Sequence, residues 1–147
     1  MKEINPKELI KQMEKEGYKT ELEILEWNEK DLEKLKTVRG TLYGKFYINE
    51  PSGFVCIEDF GAGETCRWAF FHDEFHYILE GEADLTYSMP PLHLEKKSAH
   101  VKAGQFYMIP AGAEIEWKVA PGSPYRKLCV GMPAYKIPYP GFRKIIG

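Results

Sequence analysis

Apolar and polar residues follow two different periods along this chain, and the change falls near Gly40. Before Gly40 the apolar positions recur three and four residues apart, as they do on one face of a helix. After Gly40 they alternate with polar positions, which is the period of a half-buried β-strand. The pattern therefore predicts a helical and extended segment over residues 1–40, followed by an all-β domain.

The start of a helix is marked by Asn5 and Pro6. Asparagine is a preferred N-cap, and proline suits the first helical position because the N–H that it lacks would have no partner there. Leu9 and Met13 then fall on one face, and Gly17 predicts the end of the helix.

The remainder of the N-terminal segment predicts two further elements. Leu22 and Ile24 alternate with polar residues, and together with Trp27 they predict a short strand. Asn28 predicts the cap of a second helix, which ends near Gly40. We expect the whole segment to pack on the β domain.

Short runs of alternating residues, separated by Gly, Pro or polar turns, fill most of the chain after Gly40. The predicted strands are Thr41–Asn49, Phe54–Asp59, Glu64–Phe71, Glu74–Glu80, Glu82–Ser88, His100–Lys102, Gln105–Ile109, Ala113–Val119 and Tyr125–Gly131. Many short strands with regular turns indicate a sandwich or a barrel. Residues 41–133 are therefore the predicted barrel, and the proline-containing residues 134–147 are an irregular tail.

Two stretches of the predicted barrel carry residues at a recognisable spacing. Glu74 and Gly81 define the first, and Gly104, Pro110 and Gly112 define the second. The two stretches resemble the conserved motifs of the cupin superfamily, whose RmlC-like domains are double-stranded β-helices, or jelly-roll barrels. The resemblance implies this fold and places Glu74 inside the barrel.

The departures from the cupin pattern bear on metal binding. Trp68, Phe70 and Ile115 occupy three of the four positions that usually hold metal ligands. These side chains offer no lone pair, so we expect no metal at the standard site. The two motifs, with these three residues at the usual ligand positions, resemble a cupin branch that includes the ethanolamine-utilisation Q protein.

Glu74 is the leading candidate for a functional residue. Alternation along its strand puts His76 on the same face, so both side chains are expected inside the barrel. Apolar side chains are expected to line a substrate pocket around them: Trp68, Phe70, Ile115 and Trp117. A carboxylate in such a cavity has its pKa raised by burial or is paired, which makes it a functional candidate. A Glu–His pair with a purely structural role is the alternative.

A metal is a further possibility at the same place. Imidazole and carboxylate groups suit a divalent transition metal, and His72, Glu74 and His76 supply both. His72 falls in the turn before the strand, so its direction is open. Because Glu74 and His76 alone give two ligands and tight sites need three or four, we expect weak metal binding or none.

Three functions are compatible with this pocket. The first is an enzyme acting on a small polar metabolite, an amine or a carboxylate, with Glu74 as general acid or base and His76 orienting it. The second is a non-catalytic binding or accessory module, in which the carboxylate and the aromatic faces hold a cation such as an ammonium group. The third is a divalent-metal-dependent enzyme that uses His72, Glu74 and His76. The sequence does not choose among them.

Charge and composition narrow the range of partners and compartments. Twenty Lys and Arg face 22 Asp and Glu, a net charge of -2, so nucleic acid is not an expected partner. The chain contains no apolar run long enough to span a membrane and no apolar signal core at its N-terminus, so we expect a cytoplasmic protein. Three widely spaced cysteines form no Cys-x-x-Cys motif, and we expect them to act as small hydrophobic residues.

The outward face of the strand that carries Glu74 predicts an interface. Phe75, Tyr77 and Leu79 share this face. Because a barrel has only one inside, these apolar side chains need cover on the outside. We expect it from the N-terminal segment or from a second copy of the chain, which predicts a homodimer.

Overall fold

The computed structural model describes residues 3–35 and 42–132. Within these ranges the chain forms one α-helix, α1 (Pro6–Lys15), and one 3-10 helix, Glu29–Asp31. The strands are β1 (Glu33–Leu35), β2 (Leu42–Glu50), β3 (Gly53–Phe60), β4 (Thr65–Ala69), β5 (Glu74–Glu80), β6 (Glu82–Ser88), β7 (Lys97–Lys102), β8 (Phe106–Ile109), β9 (Glu114–Val119) and β10 (Tyr125–Gly131). Neither described helix has the length and apolarity that crossing a membrane requires.

The strands form two antiparallel sheets. The six-stranded sheet has the order β1-β2-β3-β10-β5-β8, and the four-stranded sheet has the order β4-β9-β6-β7. The inner faces meet in one core, to which Phe60, Ile78 and Tyr125 of the first sheet and Leu85 and Trp117 of the second contribute. The predicted all-β jelly-roll barrel is confirmed, and the described helices lie in the N-terminal segment.

The position of β10 between β3 and β5 decides which side chains meet inside the barrel. Cys129 of β10 lies opposite Cys56 of β3 and opposite His76 of β5. Two residues after Cys129, at the end of β10, Gly131 lies opposite Glu74. Residues opposite each other in neighbouring strands have Cβ atoms about 4.5–5.5 Å apart, so Cys56, Cys129 and His76 form one row across the sheet.

Two glycines, one directly after β5 and one at the end of β10, allow close approaches to the backbone. Gly81, between β5 and β6, has a φ of +82°, and a Cβ atom there would lie 2.2 Å from the carbonyl oxygen of Pro124. A Cβ atom on Gly131 would lie 2.0 Å from the ring of Phe54. Gly81 therefore requires a residue without a side chain, whereas a side chain at position 131 would require the Phe54 ring to move.

The N-terminal helix begins as predicted. The side chain of Asn5 accepts a hydrogen bond from the backbone N–H of Lys7 at 3.0 Å, and Pro6 is the first helical residue. The strand predicted around Leu22 and Ile24 is wrong, because these residues pair with no strand in the part of the chain that the structure describes. Both side chains are exposed. Alternating apolar residues form a stable strand only where another apolar surface covers them, and none of the described residues does so here.

The second helix predicted after Asn28 is also wrong, although its cap is present. Asn28 accepts a hydrogen bond from the backbone N–H of Lys30 at 3.0 Å, but the helical turn that follows is only three residues long. The chain then enters β1, where Glu33 lies opposite Gly44 of β2. Pairing with β2 satisfies the backbone groups that a longer helix would have satisfied internally. The predicted helix end near Gly40 and the predicted tail at residues 134–147 fall outside the described residues.

The N-terminal segment packs on the outer face of the six-stranded sheet. The Trp27 ring lies 5.2 Å from the Arg126 guanidinium of β10, and Glu29 contacts the same guanidinium at 3.1 Å. The backbone N–H of Asn28 donates to the Tyr47 hydroxyl of β2 at 3.1 Å. These contacts cover the part of the sheet formed by β2 and β10.

Candidate functional site

The structure brings Glu74 and His76 together inside the barrel. They are inward-facing residues of β5, with exposed fractions of 7% and 1%. The Nε2 atom of His76 hydrogen-bonds to Oε2 of Glu74. The pair therefore consists of a buried carboxylate held directly against a buried imidazole, as alternation along the strand predicted.

His72, whose direction the sequence left open, turns toward the same carboxylate. Its Nε2 atom lies 2.9 Å from Oε1 of Glu74, and its ring makes an edge contact with Phe54 at 5.2 Å. Glu74 thus bridges two imidazoles, one on each oxygen. The side chain of His72 is 27% exposed while that of His76 is 1% exposed. A molecule arriving from solvent therefore meets His72 before His76.

The other ring nitrogen of His76 leads into a network of phenols. Its Nδ1 atom lies 3.2 Å from the Tyr107 hydroxyl, which also accepts from the indole N–H of Trp117 at 3.0 Å and contacts the Tyr125 hydroxyl at 2.9 Å. The indole can only donate, so one lone pair of Tyr107 is committed to it. If His76 also donates, both lone pairs of the Tyr107 oxygen are used and Tyr107 donates its own proton to the Tyr125 hydroxyl.

The protonation of the pair follows from these contacts. Burial by itself raises the pKa of Glu74, but the hydrogen bonds from His76 and His72 outweigh it and lower the net pKa. Burial lowers the pKa of His76, whereas Cys129 and Glu74 raise it, to about 9. Because the Cys129 thiol keeps its proton at neutral pH, Glu74 is the anion that holds the imidazolium. A buried carboxylate is expected either to have a raised pKa or to be paired, and Glu74 is paired.

Cys129 and Cys56 are the functional candidates that the sequence did not identify. Both are buried thiols, and the ligand atoms of Glu74, His76 and Cys129 lie within 4.8 Å of one another. A second group, Cys56, Glu58 and Cys129, meets the same limit. The alternation of β3 and β10 was visible in the sequence, but the neighbour relation of β10 to β5 was not. Their treatment as simple hydrophobic residues is therefore incomplete.

A buried ion pair is formed by Lys127, two residues before Cys129 on β10. The Lys127 side chain is fully buried, its Nζ atom lies 3.3 Å from Oε2 of Glu58, and the same nitrogen sits 3.4 Å from the centre of the Phe60 ring. Burial lowers the pKa of Lys127, but Glu58 and the other acidic groups around it raise the net pKa. With Glu74 and His76, this pair gives the interior two anions and two cations.

The four residues predicted to form one pocket are separated in the structure. Phe70 and Trp117 pack against His76, and the ring centre of each lies 6.1 Å from the centre of the imidazole ring. Trp68 and Ile115 instead line a cavity of about 840 Å³ that is bounded by residues of β4, β6 and β9. Phe70 and Trp117 therefore form the wall of the Glu74–His76 site, and Trp68 and Ile115 do not.

A second cavity, of about 550 Å³, connects to the site through one residue. It lies between β6, β7 and β8, and Leu85, Val101, Ile109, Ile115 and Tyr107 are among its lining residues. Its lining is mainly apolar. The Tyr107 hydroxyl is the link, because it hydrogen-bonds to the imidazole at the far side.

The residues fit a metal at one place and not at another. Trp68, Phe70 and Ile115 stand at the standard ligand positions of the cupin motifs and cannot ligate, so the standard site does not fit a metal. Glu74, His76 and Cys129 offer a carboxylate, an imidazole and a thiol from two adjacent strands. This donor set is typical of sites for divalent transition metals.

Several solved structures share this fold. The EutQ protein of Clostridium difficile matches with a TM-score of 0.55 at 20% identity, over 76% of this chain and 83% of that one. An Fe(II) form of HppE matches at 0.58 with 16% identity, over 76% and 63%. The cupin domain of Cnp3 from Schizosaccharomyces pombe matches at 0.54 with 16% identity, over 72% of each chain. No protein-family model and no curated protein matches the sequence.

Proposed function

We propose, from the cupin fold that this chain shares with EutQ and the Cnp3 domain, that its barrel holds a divalent transition metal on Glu74, His76 and Cys129 and binds a small polar ligand beside it. The fold and the likeness to EutQ confirm the resemblance seen in the two sequence motifs. The observation that carries the proposal is the grouping of three buried donor atoms within 4.8 Å.

The three donor atoms lie close to the spacing that an ion requires. Zinc–nitrogen and zinc–oxygen distances of about 2.0 Å and zinc–sulfur distances of about 2.3 Å place tetrahedral donors roughly 3.3–3.8 Å apart, and Glu74, His76 and Cys129 offer donor atoms within 4.8 Å of one another. The ion would take the place of the hydrogen bond between His76 Nε2 and Glu74 Oε2, so these two atoms would move apart to admit it. His72 supports such a centre, because its hydrogen bond to the second oxygen of Glu74 fixes the carboxylate from outside.

Charge balance also favours the proposal. Without metal, Glu74 and Glu58 are balanced by His76 and Lys127. A divalent ion replaces two protons, one from His76 and one from Cys129, so the net charge of the interior stays the same. The barrel can therefore take up the ion without leaving an uncompensated charge in its core.

The ligand is expected at the exposed side of Glu74. His72 is the partly exposed member of the group, so a small amine or carboxylate can reach the carboxylate past it. A metal held by Glu74, His76 and Cys129 would supply a Lewis acid beside the ligand. The chain's own residues orient the ligand, and His76, held by Tyr107, keeps its ring plane fixed. HppE, a structural neighbour, is described as an Fe(II) protein, which is an ion of the proposed class.

A second candidate function is favoured by the direct hydrogen bond between Glu74 and His76. In this alternative the barrel holds no metal, and the charged pair either transfers a proton to a small metabolite as general acid and base or only binds it. The same residues are used, but Cys129 is then a packing residue.

Elemental analysis of protein purified without a histidine tag tests the proposal. We expect about one equivalent of Mn, Fe, Ni or Zn in the wild type, lost in Cys129→Ser and His76→Ala. Cys66→Ala is the matched control, because Cys66 is a buried thiol on β4 and belongs to neither donor group. Wild-type protein without metal after growth in metal-supplemented medium contradicts the proposal. Turnover and binding of small amines and carboxylates by Glu74→Gln then decide between the metal-free enzyme and the binding module.

A further inference from the structure

Two buried thiols face each other across the six-stranded sheet. Cys56 of β3 lies directly opposite Cys129 of β10, and both side chains are fully buried. Both thiols are free, and their sulfur atoms lie within 4.8 Å of each other. The divalent-metal site proposed above uses Cys129 and gives no role to Cys56, so it does not account for the pair.

The paired strands hold the two sulfur atoms in place. β3 and β10 pair without a register shift from Tyr125, opposite Phe60, to Gly131, opposite Phe54. β10 is also paired on its other side, with β5, so it cannot shift without breaking a second ladder. The separation of the two thiols is therefore fixed by the sheet, and not by a loop.

The spacing suits an ion that is bound by both sulfur atoms. With metal–sulfur bonds of about 2.3 Å, an ion joins two sulfur atoms that are roughly 3.8 Å apart in a tetrahedral arrangement and about 4.6 Å apart in a linear one. The observed separation of at most 4.8 Å allows either arrangement after small side-chain rotations.

The third member of this donor group, Glu58, is already held by its neighbours. Its Oε1 atom accepts a hydrogen bond from the Cys56 thiol at 3.5 Å, and its Oε2 atom accepts one from the Lys127 ammonium at 3.3 Å. Because the buried ammonium needs this carboxylate as its anionic partner, an ion at this place obtains two sulfur ligands rather than a full tetrahedral set.

We propose that Cys56 and Cys129 bind one Cu(I) ion between them. Thiolates select Cu(I) or Zn²⁺ over harder ions, but protein-bound Zn²⁺ is almost always four-coordinate, whereas Cu(I) is satisfied by two soft ligands. The proposal does not rest on the divalent site, since Cys56 is not one of its ligands. Both positions use the sulfur of Cys129, so an ion at one of them weakens binding at the other.

The charges beside the pair favour the bound form. One Cu(I) ion replaces the protons of two thiols, which leave to solvent, so the ion and its two sulfur atoms together carry one negative charge. The Lys127 ammonium and the His76 imidazolium both act on the sulfur of Cys129 and favour negative charge there. The two cations therefore stabilise the copper–dithiolate group inside the barrel.

Titration of chelator-treated, reduced protein with Cu(I) in the absence of oxygen, against the coloured Cu(I) chelator bicinchoninate, tests the proposal. We expect one equivalent in the wild type and its loss in Cys56→Ser, which keeps the divalent ion. His76→Ala should lose the divalent ion and keep the Cu(I). Cys66→Ala is the matched control and keeps both, because Cys66 is a buried thiol outside both donor groups.

X-ray absorption at the copper edge of the wild type identifies the ligands without relying on any variant, and we expect two sulfur neighbours and no nitrogen. Far-UV circular dichroism reports that the variants are folded. A wild type that takes up no Cu(I), a nitrogen ligand on the copper, or a folded Cys56→Ser that binds Cu(I) as tightly as the wild type would overturn the proposal. If the wild type binds Cu(I) but no divalent ion, the proposed function fails and the Cu(I) site stands.

Discussion

Replacing Glu58 by glutamine leaves the fully buried Lys127 without its anionic partner. The two charges are 3.3 Å apart, and the ammonium has no exposed surface through which water can reach it. Breaking a buried pair by removing one partner costs about 3–5 kcal/mol, because the remaining charge stays desolvated. Glutamine keeps one oxygen acceptor and the Phe60 ring remains beneath the ammonium, so we expect about 3 kcal/mol.

This loss is large against the total stability of a domain, which is about 5–15 kcal/mol. For a chain of this length, 1 kcal/mol shifts Tm by roughly 2–4 °C, so Glu58→Gln should lower it by about 6–12 °C. Urea unfolding followed by tryptophan fluorescence measures the free energy directly. Glu95→Gln, the same chemical change at an exposed loop position, should stay within about 0.5 kcal/mol of wild type.

A double variant separates the unpaired charge from other causes. Glu58→Gln combined with Lys127→Met removes both charges and keeps an apolar chain of similar length in the core. We expect it to recover most of the lost stability, since an apolar replacement of a buried pair is often neutral. If Glu58→Gln alone costs less than 1 kcal/mol, or if the double variant is no more stable than the single one, the Glu58 carboxylate does not stabilise the fold by compensating the buried charge of Lys127.

Two further predictions concern His76 and Gly131. In chelator-treated protein, Cys129 and Glu74 raise the pKa of His76 in the folded state to about 9, above the ordinary value of 6.5. The stability that these two partners give the protonated imidazole is complete below pH 6.5 and is lost as the pH rises through 9. Urea unfolding at pH 6.5 and pH 9.5 should therefore show a decrease that is absent in His76→Gln, and equal decreases would contradict it. Gly131→Ala should cost about 1–3 kcal/mol because the added Cβ atom meets the Phe54 ring, and a thermal unfolding curve unchanged from wild type would show that the ring moves freely.

The sequence by itself determined the periodic features of the protein. Alternation on β5 placed Glu74 and His76 on one inward face, and both are buried there. The capping chemistry of Asn5 and Asn28 is correct at both positions, because a cap depends on residues next to it in the chain. The spacing of Glu74 and Gly81 resembled a cupin motif, and the resemblance implied the fold; in the structure the backbone at Gly81 admits no side chain.

The tertiary structure alone decided which elements lie side by side. The prediction of a second N-terminal helix is wrong because Glu33 and its neighbours form backbone hydrogen bonds with β2. No local pattern in the sequence indicates which distant strand a segment will pair with. The expected pocket divided for a related reason. Trp68 of β4 and Trp117 of β9 both belong to the core, but Trp117 lies with its ring against His76, whereas Trp68 lines the cavity between β4, β6 and β9.

Which residues form the site also depends on strand order, which the local sequence pattern does not reveal. Cys129 follows His76 by more than fifty residues in the chain, and only the insertion of β10 between β3 and β5 makes them neighbours. The lowered pKa of Glu74 also depends on the turn that directs His72 inward, which alternation along a strand does not specify. Periodicity fixes the face on which a side chain lies, whereas the partners on that face are set by strand order, which long-range packing determines.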